Sequence, residues 1–166
     1  MMSEDDEWEL APENSHTLAA RLLTDEFYWD CTDDNSPFGN DTGADTLAAY
    51  RVWRGQNSRS SPDEFLDELL EGWEVANESW DVTDPAEVRR LLEEDEYILN
   101  VRDDAVIALA FGQLVLVGEV GRESRRRALL ALQRQSLLAV IEQRGWVDAV
   151  ARAARLAKMA RVLGGV

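Results

Sequence analysis

The 166-residue sequence has one cysteine, one histidine and one lysine, and these scarcities exclude much chemistry at the outset. With Cys31 alone, no intrachain disulfide forms and a cysteine-based zinc cage is ruled out, which favours a reducing compartment. Its acidic neighbours Asp30, Asp33 and Asp34 disfavour the thiolate, so Cys31 reads as an inert packing residue. Any imidazole chemistry must use His16, which reads as a surface or packing residue because Ser15 is too close in sequence to complete a triad with it. Glycine-rich phosphate loops are missing: neither G-x-x-x-x-G-K-[ST] nor G-x-G-x-x-G occurs. Long apolar runs are missing too. The most apolar stretch, Ala105 to Val117, falls short of the roughly 20 residues a bilayer span needs and reads as a buried core element. Met1 to Glu9 is acidic where a signal peptide starts basic and continues apolar, so the expectation is a cytoplasmic protein.

What is present is a globular composition with a lopsided charge. Hydrophobic residues make up 45% and charged residues 30%, enough to build a core in a chain of this length. The net charge is −16, but residues 1–100 carry 27 acids against 6 arginines, whereas residues 101–166 carry 6 acids against 11 bases. An acidic surface repels nucleic acid and anionic membrane and speeds encounter with a basic partner, while the plainer reading is that charge maintains solubility.

Hydrophobic periodicity and capping signals predict an all-α single domain over 11–166, with about six or seven helices behind an acidic lead-in at 1–10. A helix is expected from Pro12 to about Leu23. A second, capped by Asp41 or Thr42, carries Ala44, Leu47, Ala48, Val52 and Trp53 and ends near Gly55. Ser61-Pro62 and Asp84-Pro85 each place a cap before a proline at the first helical position. One short strand is expected near 97–101, followed by the apolar run as a helix. A long helix then reaches Gly145, and a last one ends at Gly164 with Trp146, Ala149, Val150, Ala153, Ala157, Ala160 and Leu163 as its packing stripe.

Between the first two helices lies a loop dense in Asp, Asn, Gly and Pro, with Phe27, Tyr28, Trp29 and Phe38 to pack it down. Its acids Asp30, Asp33, Asp34, Asp41 and Asp45 are the candidate divalent-metal ligands. Laid against the calcium-loop pattern they fail where it is most demanding: Asn35 replaces the glycine and Asp41 the final bidentate glutamate. Ordinary turn carboxylates are the competing reading. Trp29, Phe38 and Trp80 are the candidate partner-binding aromatics, with Trp53, Trp73 and Trp146 assigned to apolar stripes. Arg125, Arg126 and Arg127, with Arg122 and Arg134 nearby, form the one concentrated basic patch. Pairing with the chain's own acidic half accounts for it better than nucleic acid does.

The strings DEFYWD (25–30), SPFGNDTGAD (36–45), YRVWR (50–54) and AVIALAFGQLVLV (105–117) resemble the small bacterial YfeS-like proteins. That resemblance implies no catalytic residues and no cofactor, since the group is uncharacterised. Some relatives carry labels for molybdate-metabolism regulation or a WGR module, yet no Trp-Gly-Arg triplet occurs here. The functional expectation is therefore a non-enzymatic, immunity-like or regulatory module that binds a basic protein. A metal-binding protein or metal-dependent enzyme using loop 30–45 is the alternative.

Overall fold

The computed structural model describes residues 8–166, and among them there are helices and no strand. The helices are α1 (Thr17–Leu22), α2 (Asp41–Gln56), α3 (Pro62–Gly72), α4 (Pro85–Val117), α5 (Arg122–Gln135), α6 (Leu138–Gln143) and α7 (Ala149–Gly164). Short 3-10 turns occur at Pro12–Asn14 and Glu26–Trp29.

The second half of α4 is the axis of the fold. Residues 101–115 are buried without interruption. A helix apolar on every side has to be covered on every side. Accordingly α2 and α5 pack along α4 most extensively, with α1, α3 and α6 filling the remaining flanks and α7 lying on α5 and α6. Phe111 contacts Tyr28 with ring centroids 5.6 Å apart, which ties the aromatic loop to this axis.

The expected strand near 97–101 is helical. Asp95 leaves helical geometry at φ −164°, ψ 95° and bends α4 there. Its Oδ1 accepts the Ile98 N–H, so the residue that stops one helix caps the next. Other boundaries differ from expectation as well. Residues 12–23 split because His16, not Pro12, opens α1, its Nδ1 accepting the Leu18 N–H. The helix expected to reach Gly145 breaks at extended Leu137, after Ser136 Oγ has bonded back to the Leu132 carbonyl. Asn40, rather than Asp41 or Thr42, caps α2. Ser61 and Asp84 cap α3 and α4 as expected.

The packing faces of α2 and α7 are rotated from the expected ones. In α2 the buried residues are Gly43, Thr46, Leu47 and Tyr50, leaving Val52 56% exposed. In α7 they are Arg152, Leu156, Met159 and Leu163, while Val150, Ala153 and Ala157 face solvent. Burial of Leu156, Met159 and Leu163 removes more apolar surface from water than burial of the alanine stripe would.

Two glycines of the SPFGNDTGAD segment are there for contact. A Cβ on Gly39 would lie 1.7 Å from the Asp33 carbonyl oxygen, and one on Gly43 would lie 2.1 Å from the Pro37 carbonyl oxygen. Backbone atoms cannot rotate aside as a side chain would. Gly43→Ala should therefore cost about 1–3 kcal/mol in urea unfolding, whereas Gly55→Ala, with open space around it, should cost nothing or stabilise. At Gly118 the demand is conformational: φ is +77°, and the residue closes α4 beside the His16 ring.

Candidate functional sites: a buried arginine cleft and an acidic groove

The polar interior starts on the first buried turns of α4. Arg102, Asp103 and Asp104 are all less than one-tenth exposed, an unusual placement for charges. Arg134, on the apolar face of α5, is fully buried and meets Asp103, with Nη2 2.9 Å from Oδ1. Its Nη1 donates to the Trp80 and Val82 carbonyls, so one guanidinium neutralises α4 and holds the α3–α4 connector. Gln135 Nε2 donates to the other Asp103 oxygen at 2.9 Å. Burial raises Asp103 above the usual carboxylate range, against the pull of Arg134 and Gln135.

Beside this pair, Arg144 grips Asp104 with two bonds, 2.9 and 2.8 Å, and donates also to Gln135 Oε1. Burial pulls Arg144 down, but Asp104, helped by Asp103 and Asp34, more than offsets it and the net direction is up. Arg144 stands between two clefts. One, of about 400 Å³, is walled by Asp34, Asn35, Asn40, Trp146, Val147 and Ala151 among others. The other, of about 310 Å³, includes Asn40, Tyr97, Asn100, Asp104 and Gln143. Behind the first, a void of about 10 Å³ is lined by Arg152 together with Asp34, Asn35 and Asn40. Arg152 is 5% exposed and stacks on Trp146 at 4.1 Å.

The loop acids are placed as turn and helix-end carboxylates. Asp30 accepts from the Thr32 N–H and hydroxyl, and Asp33 from the Asn35 N–H. The hydrogen bonds from Thr32 hold Asp30 below the usual carboxylate range. Exposed Asp34 reaches the wall of the first cleft and exposed Asp41 that of the second, whereas Asp45 stands on α2 outside both. Among the described residues, no group of three or more His, Cys, Asp or Glu is gathered as a metal site would require.

Of the three candidate partner-binding aromatics, Phe38 and Trp80 are core residues, 2% and 7% exposed. Trp80 is buried because its own carbonyl is drawn in by Arg134 and its ring lies near the guanidinium groups of Arg127 and Arg102. Trp29 is half-buried, its Nε1 donating to the Leu23 carbonyl. Cys31 is exposed rather than packed. The arginine patch disperses: Arg126 pairs with Glu123 and Asp81, Arg127 with Glu123, and Arg125 caps the Leu163 and Gly164 carbonyls.

On another face, α2 and α3 enclose an open groove of about 460 Å³. Ala49, Trp53, Phe65 and Leu69 form its apolar lining, with Val52, Gln56 and Glu68 beside them. Helix α3 carries Asp63, Glu64, Asp67, Glu68 and Glu71 and no base. Trp53 packs on Phe65 at 5.5 Å, which fixes the floor in place. The spacing of Phe65, Leu66, Leu69 and Leu70 announces the inner face of α3. The groove itself is hidden in the sequence, because Val52 falls on the apparent apolar stripe of α2 and reads as core.

Comparison with known proteins adds one observation. The chain is 33% identical over 148 residues to the Escherichia coli (strain K12) protein named "Uncharacterized protein YfeS". The match takes in 86% of this chain. The chain is thus similar to that protein over most of its own length. It spans 59% of that YfeS protein's own length, and the relative's name carries no activity to transfer. No protein-family model matches the chain, and no solved structure matches it. Among the described residues, no helix is long and apolar enough to cross a membrane.

Proposed function

We propose that the protein is a non-enzymatic, cytoplasmic interaction module whose α2–α3 groove receives a basic amphipathic helix of a partner protein. The observation that carries this reading is the pairing of an apolar floor with a helix that bears five acids and no base. An apolar stripe on the partner would cover Trp53, Leu69 and Val52, and flanking lysines or arginines would meet the exposed Glu64, Asp67, Glu68 and Glu71. The same field repels nucleic acid and anionic lipid, so neither is the proposed ligand.

The direct test is a titration with a synthetic helical peptide bearing leucines on one face and lysines on the other, followed by fluorescence anisotropy and NMR shifts. Binding should weaken as salt rises and perturb Val52, Trp53 and Leu69 most. Saturable binding elsewhere, or none at low salt, would overturn the reading.

A further inference from the structure

Away from the acidic groove, Arg152 stands out among the buried charges. Its Nε is buried and has no hydrogen-bond partner among the described residues. Its Nη1 donates to Asn35 Oδ1 at 3.4 Å, the long limit for such a bond. Among the described residues no carboxylate lies within ion-pair distance of it, whereas buried Arg134 and half-buried Arg144 each hold an aspartate. Burying an arginine outside an ion pair is costly, and here burial and then the nearby Arg144 push it down to about 10, against the pull of Asp104, Asp33 and Asp34. At neutral pH it is still a cation.

The surroundings fix what would neutralise it. Arg144 and Asp104 form a closed pair, which leaves Arg152, in the wall of the small void, as the cation here with no ion pair of its own among the described residues. Asp34 lines both the void and the cleft and Asp148 lines the cleft, but each carboxylate there has other surroundings: Asp33 is held by the Asn35 N–H, Asp148 caps α7, and Asp34 is exposed. These carboxylates would repel a dianion more strongly than a monoanion, so the guanidinium edge of Arg152 suits an anion of single charge. The void beside Arg152 is the size of one oxygen atom, while the adjoining cleft of about 400 Å³ has room for a small molecule. Asn40 binds the Gly43 N–H through its Oδ1, which leaves its amine as a donor in the wall shared by both spaces.

We propose that this cleft binds a small monocarboxylic acid, one carboxylate oxygen seated on the Nε edge of Arg152 and the body of the molecule lying against Trp146, Val147 and Ala151. Asn35 would shift from its long bond with Arg152 to admit the oxygen. The site is on a different face from the acidic groove and stands or falls separately from it.

The experiment is thermal unfolding of the full chain titrated with acetate, lactate, benzoate and inorganic phosphate at constant ionic strength, repeated in Arg152→Gln and Ala151→Leu. Ala151→Leu fills the cleft from a helical wall position and leaves the buried cation in place. At least one monocarboxylate should give a saturable rise in Tm that phosphate does not. In both variants its apparent affinity should fall by roughly tenfold or more, the size of a lost charge-assisted hydrogen bond or a blocked site. No saturable rise with any carboxylate, an equal rise with phosphate, or an undiminished rise in Ala151→Leu would overturn the proposal. If Arg152→Gln does not fold, the Ala151→Leu arm decides alone.

Discussion

Arg134→Met should destabilise the protein by about 3–5 kcal/mol in urea unfolding at neutral pH, the range for breaking a buried ion pair from one side. Arg134 is fully buried, and its removal strands the Asp103 carboxylate along with the Trp80 and Val82 carbonyls. The deficit has a pH signature. Without Arg134, the folded-state pKa of Asp103 rises further above its unfolded value, so the folded state holds a proton that the unfolded state releases. Stability of the variant then falls as pH rises above the unfolded carboxylate value, roughly 4, until the raised folded pKa is passed. The deficit should therefore shrink on acidification. Adding Asp103→Leu should recover part of the loss, because the stranded charge is gone, and leave the part due to the two carbonyls. An Arg134→Met protein with wild-type stability would mean that the connector is held by something other than this guanidinium.

That connector shows where a sequence stops being readable. Caps, prolines and apolar spacing are local, and they place α3, the start of α4 and the apolar axis of Ala105 to Val117 where the structure has them. Asp103 and Arg134 are 31 residues apart, and nothing in either neighbourhood announces the other. Trp80 reads as free because its connector is polar, and it is buried because Arg134 and Arg102 draw that connector's carbonyls inward. A sequence signal does exist. Arg134 falls on the stripe of Ala128, Ala131 and Leu132, and Arg152 on that of Leu156, Met159 and Leu163. An arginine at an inward helical position asks for a buried acid or an anion, which is a sharper clue than the cluster of arginines at 125–127. The loop acids draw attention by number, yet they serve turns, as Asp and Asn commonly do.

The second large effect is expected at the acidic groove. Val52→Glu combined with Glu68→Lys should weaken binding of the basic amphipathic peptide by about 2–3 kcal/mol, or roughly a hundredfold. Val52 is exposed and contributes little to the core, and Glu68 is an exposed acid on α3, so folding stability should stay nearly unchanged. The two changes act differently. A charge at position 52 places an ionised group against the partner's apolar stripe, and a base at position 68 reverses the attraction that speeds encounter. Glu68→Lys alone should lower the association rate and flatten the salt dependence, whereas Val52→Glu alone should act mainly on dissociation.

The most direct measurement of the central claim is photo-crosslinking in the protein's native cell, with benzoylphenylalanine placed at position 52 in the groove and, in a separate strain, at the exposed position 147 beside the arginine cleft. Position 52 should trap a specific protein through a lysine- or arginine-rich helical segment. That adduct should be lost with Glu68→Lys and absent from position 147. Equal trapping at both positions, an adduct through an acidic segment, or no adduct at position 52 would contradict the claim.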